Sequence, residues 1–141
     1  MENKLEATDH FKNKVKNFSR EPKKKIVTFI NTFQLGGFTA INNVEIDGYK
    51  VRNKSSDNVP TSDYQFIAKV KLAQRYNLWH YHAGFYNIDS DIDGYTISDK
   101  GDLTSQWVIH YQFFTENHIN VVDVTPHPPL LLPDEEHLTK I

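Results

Sequence analysis

The 141-residue chain contains no cysteine. Disulfides, thiolate catalysis and Cys-ligated zinc are thereby excluded, and any metal centre must draw on His, Asp and Glu. Also missing is any run approaching the roughly 18 to 20 apolar residues that a membrane span needs. The opening MENKLEATDHF lacks the apolar stretch of a secretory signal. These absences predict a soluble, cytoplasmic protein with no membrane partner. A strong net charge is absent too, at −2 with a sequence pI near 6.4.

The charge that is present is unevenly placed. Residues 1–75 hold 14 Lys/Arg against 8 Asp/Glu, a balance of +6, whereas residues 76–141 hold 2 against 10, a balance of −8. A basic front half can meet phosphates, or it can be a solvated helical surface beside an acidic sheet. Nine Phe, seven Tyr and two Trp supply ample core material for one domain of this length.

Residues 1–8 read as an edge strand, and two helices follow over 9–37. Phe11, Val15 and Phe18 repeat at i, i+4 and i+7 on a helix studded with lysines, and Ser19 to Pro22 breaks it. Pro22 suits the first turn of a second helix with the stripe Ile26, Phe29, Ile30 and Phe33, for which Gly36-Gly37 predicts the stop. Residues 42–62 are polar and read as a surface loop, with Lys50, Arg52 and Lys54 free to reach a phosphate. Residues 63–76 alternate weakly like a strand, but their Ala, Lys, Leu, Gln and Arg content favours a helix. An antiparallel meander is predicted over 78–128: Leu78 to Gly84, Gln106 to Phe114 and Ile119 to Thr125, the last two joined by a short turn. The tail, 129–141, is expected to pack over the sheet through Leu130 to Leu132. Between the strands, Asp89-Ser90-Asp91-Ile92-Asp93-Gly94 opens like a calcium loop, yet its twelfth position is Lys100 where a bidentate Glu is required, so an acidic turn is the simpler reading.

The strands carry the chemistry. In Leu78-Trp79-His80-Tyr81-His82 the two histidines must share a face, about 7 Å apart along the strand. Trp79 and Tyr81 point the other way, which marks that side as core. His110 and Tyr111 lie on the next long strand, and His127 follows the last. Imidazoles serve either proton transfer near neutrality or metal ligation. Three histidines with Asp123 or His127 could complete a zinc site with one open position, or they could be buried residues bonded to carbonyls.

The order of elements, with the strand WHYH, the later strand VIHY and a final apolar strand ending in Pro126-His127, resembles the RelE/ParE superfamily of bacterial toxins, most closely the YafO type. The likeness is strongest over residues 78–128 and architectural over the first 40. It implies an α+β fold, a single domain with an N-terminal helical hairpin packed on a small antiparallel sheet. It further implies an mRNA interferase that cuts messages on the ribosome, is silenced by a cognate antitoxin, and needs no cofactor or metal and no DNA of its own. Cleavage would use the 2′-hydroxyl of the RNA as nucleophile. His80 or His82 would be the general base, and His127 or His110 the general acid. Arg52, Lys54 and Arg75 would hold phosphates, and Tyr111 or, less aptly, Trp79 would stack on a base. No arginine occurs between Gln106 and Phe114, where the RelE pattern expects one, so either His110 substitutes for it or the site is differently arranged. The alternatives from the same residues are a zinc-dependent hydrolase built on the His-x-His strand and a non-catalytic protein-binding module.

Overall fold

A computed structural model describes residues 2–46, 48–84, 95–97, 101–126 and 131–141. The chain enters through a short strand, β1 (Lys4–Ala7), and turns at Thr8, whose hydroxyl accepts from the Phe11 amide at 3.1 Å and so caps helix α1 (Asp9–Lys16). Helix α2 (Arg20–Ile41) follows after a three-residue break, with Pro22 in its first turn, where no intrahelical amide is needed. The apolar stripe anticipated for it is the one that is buried: Ile26, Phe29 and Phe33 face the core.

The predicted stop at Gly36-Gly37 is a break in the helix, followed by a further helical turn. Gly37 takes φ 69° and ψ −159°, and helix resumes to Ile41. The Phe38 amide, released by the kink, donates to the Glu116 carbonyl at 2.8 Å, tying the helix to the turn between the last two strands.

The stretch 42–62 is more ordered than its composition suggests. It contains the small pair β2 (Glu45–Ile46) and β3 (Tyr49–Lys50), then β4 (Asn53–Ser55), which joins the main sheet. Helix α3 (Phe66–Tyr76) settles the ambiguous segment as helix, and it ends on Asn77 in the left-handed conformation, φ 49°. Strand β5 (Leu78–His82) follows, then a small pair, β6 (Tyr95–Ile97) and β7 (Leu103–Ser105), and the two long strands β8 (Trp107–Thr115) and β9 (His118–Pro126).

The principal sheet has five strands in the order β1-β9-β8-β5-β4. Its meander β5-β8-β9 is antiparallel as expected, but β1 runs parallel to β9, so the sheet is mixed. The protein is thus α+β. Helix α2 covers one face, where Phe29 packs on Tyr81 and Tyr111 and Phe38 packs edge-on to Trp79. Helix α3 and the tail cover the other, through Ala73, Tyr76, Leu72, Leu132 and Leu138 around Leu78 and Val122.

Candidate functional site

Strand alternation places His80 and His82 together, with ring centroids 5.4 Å apart. The register supplies what the sequence could not. Lys54 stands opposite His80, His80 opposite His110, and His110 opposite Asp123, so four titratable side chains line one row across β4, β5, β8 and β9. An irregularity between His110 and Tyr111 leaves Val122 as an extra residue on β9 and sets Asp123 at the end of the row. The three histidines are only 3%, 2% and 0% exposed.

Each imidazole is fixed by a short polar contact. Ser56 Oγ lies 2.9 Å from His80 Nδ1, and Thr125 Oγ1 lies 2.6 Å from His110 Nε2. The backbone of Ser105 brackets His82 Nδ1, its N–H and its carbonyl each 3.1 Å away. A ring so placed keeps a partner at Nδ1 in either neutral tautomer, accepting in one and donating in the other. That suits a group that must give up and regain a proton.

Asp123 closes the row. Burial resists ionisation of its carboxyl, but the hydrogen bond from Lys14 Nζ at 2.8 Å, the Val124 amide and the charges of Lys14 and His110 outweigh it and hold the carboxyl below the ordinary carboxylate range. A carboxylate with a depressed folded pKa adds stability above its unfolded pKa, and that stability fades as pH falls through the folded value. Lys14→Met is therefore expected to cost about 1–2 kcal/mol at pH 7, a figure discounted because Lys14 is partly exposed, and less near pH 2.5. Urea unfolding at the two pH values checks this; an equal loss at both would contradict the assigned role.

Other residues singled out from the sequence divide clearly. Lys54 pairs with His80 at the β4 edge, and with Arg52 it lines a cavity of about 280 Å³ shared with Lys50, Asn42, Trp79 and Asp102 rather than with the histidines. The Arg52 Nε is 3.9 Å from Asp102. Arg75 is not part of this group: its side chain is 67% exposed and engages Glu135 of the tail at 3.8 Å. Tyr111 is also misassigned by the sequence reading. As the neighbour of His110 it falls on the opposite face, fully buried, and its hydroxyl donates to Asn53 Oδ1 at 2.7 Å. Burial pushes that hydroxyl far above its ordinary pKa despite the bond to Asn53, so neither stacking on a base nor proton transfer at neutral pH is open to it. Trp79 packs between Phe38 and Phe113 on the same face as Tyr111. His127, Leu130 and the Asp89 to Gly94 motif with Lys100 lie outside the described residues.

Residues that sequence reasoning missed are the polar partners Ser56, Ser105 and Thr125, together with Gln112. The buried Gln112 amide grips the tail backbone twice, Nε2 donating to the Thr139 carbonyl at 2.7 Å and Oε1 accepting from the Thr139 amide at 2.9 Å. Nothing in their local sequence marks these residues, because long-range register creates each contact. Among the described residues, Asp134, Glu136 and His137 bring ligand atoms within 4.8 Å of one another, but Asp134 and Glu136 are exposed; the His137 ring stacks on His10, whose Nε2 lies 3.4 Å from Asp123. No helix among the described residues is long and apolar enough to cross a membrane.

The two coverings of the sheet differ in make-up. Full burial of Ile26, Phe29, Phe33 and Ile41 contributes at most roughly 6–12 kcal/mol at about 1.5–3 each. The tail adds the half-buried Leu132 and Leu138, the buried Pro133, the His137 ring stacked on His10 and the Gln112 pair of bonds.

No family model, curated protein or solved structure matches this chain.

Proposed function

We propose that the chain is the toxin of a type II toxin–antitoxin pair, a metal-independent endoribonuclease that cleaves mRNA on the ribosome. The observation that carries the reading is the row Lys54-His80-His110, with His82 adjoining it on the same face. Two imidazoles on neighbouring strands supply a base and an acid, and a lysine beside them supplies a cation for the phosphate. Helix α2 on one face of the sheet and the histidines on the other support the reading.

In this mechanism His80 takes the proton of the 2′-hydroxyl as the oxygen attacks phosphorus. The bond to the 5′-oxygen breaks, and His110 donates the proton that oxygen needs. A 2′,3′-cyclic phosphate and a 5′-hydroxyl result. Lys54 and Arg52 offset charge gathering on the phosphoryl oxygens. Ser56 and Thr125 hold the two rings, and Ser105 accommodates either tautomer of His82, which assists. An antitoxin protein would keep the enzyme silent.

Induced expression in bacteria tests the reading. Growth is expected to stop with the wild-type chain and to continue with the His80→Ala, His82→Ala double variant. Equal growth in the two cultures, with translation intact and both proteins soluble, would reject it.

A further inference from the structure

His110 is wholly buried, whereas a group that meets substrate must be reachable. Part of what covers it is identifiable. His110 lies between Val108 and Gln112 on its face of β8. The tail is anchored on both sides of it: the Leu131 carbonyl accepts from the hydroxyl of Thr125, which stands opposite Val108, at 3.4 Å, and Thr139 is held by Gln112. Between these points Leu132 and Leu138 pack against Leu78 and Val122. Residues 131–141 thus cross the sheet face over His110.

We infer that this tail is a removable strap, which closes the imidazole face when docked and opens it when released. The attachments fit that role. Leu131, Asp134, Glu135, Glu136, Thr139, Lys140 and Ile141 are all exposed, so the side-chain hold rests on Leu132, Pro133 and Leu138, the His137 ring stacked on His10 with centroids 4.0 Å apart, and the surface pair Arg75–Glu135. The strap is also linked to the chemistry beneath it. The single Thr125 hydroxyl proton, when given to Leu131, leaves Oγ1 to accept from His110 Nε2–H; with the strap released, Thr125 can donate to that nitrogen instead. The strap and the His110 ring thus share the one Thr125 hydroxyl. A groove of about 580 Å³ between Tyr64, Ala68 and Leu72 on one side and Leu131 to Pro133 on the other is the line along which the strap would part from α3.

The inference concerns access to His110 and stands apart from the reaction proposed above, so its test reads no cleavage. In the full-length wild-type protein, the Thr139 amide is expected to exchange with deuterium at least about tenfold faster than the β8 amides. Residue-resolved modification by diethyl pyrocarbonate is then compared with the Leu138→Asp variant, and the rate at His110 is expected to rise about tenfold while far-UV dichroism is unchanged. Exchange of Thr139 at the rate of the β8 amides would show the tail to be core and overturn the proposal. So would an unchanged His110 rate in a variant whose tail amides have lost protection. Should Leu138→Asp unfold, the wild-type exchange pattern decides alone.

Discussion

On the proposed function, His110→Gln is expected to slow RNA cleavage by about 10²–10⁴-fold, the range over which a positioned acid or base acts. Glutamine retains an N–H that can reach Thr125, so the buried hydrogen bond can survive and the urea midpoint should move little. What is lost is only the proton that the leaving oxygen would receive. The pH–rate profile should then lose its descending limb, the one governed by the acid, and keep the ascending limb governed by His80. Cleavage within threefold of wild type by a folded variant would remove His110 from the chemistry and leave the row as a structural feature.

Gly37→Ala is expected to cost about 3–4 kcal/mol, measured as a lower urea midpoint. Two penalties act together. The φ and ψ of Gly37 fall in a region essentially closed to residues with a side chain, at about 1–3 kcal/mol. A Cβ there would also meet the Glu116 carbonyl oxygen at 2.8 Å and Asn3 Oδ1 at 3.0 Å. The first is backbone in the β8–β9 turn and cannot swing aside, so the helix or the turn must shift and stretch the bond from Phe38 to Glu116. A loss under about 1 kcal/mol would mean that the kink is not structurally required.

These two positions show how far the residues could be read in advance. The periodicity of Phe11, Ile26, Phe29 and Phe33 reveals two helices and their buried faces, because a helix places such residues on one side whatever surrounds it. His80 and His82 likewise share a face by alternation alone. The pairing of His80 with His110 was not legible, since one extra residue at Val122 shifts register and only the assembled sheet determines it. Tyr111 was within reach and was missed: as the neighbour of His110 it had to point away. Gly36-Gly37 does break the helix where a glycine pair is expected to; what its sequence did not reveal is the helical turn to Ile41 beyond it and the distant Glu116 carbonyl that the break lets approach. The tail was anticipated through its leucines but not through Gln112, whose partner lies 27 residues away.

The parallel pairing of β1 with β9 has a consequence for synthesis. Lys4 to Ala7 leave the ribosome early, yet their partners His118 to Val121 come more than a hundred residues later. Loop closure over that span is slow relative to local helix formation, so α1 and α2 form while the border of β9 still lacks a neighbour. During that interval an apolar strand containing Val121, Val122 and Val124 offers free amides and carbonyls to any other nascent chain. Once in place, β1 seals that border and leaves the charged Lys4 and Glu6 outermost, a poor template for further strand addition. Four residues at one end of the chain thus serve as its built-in protection against self-association.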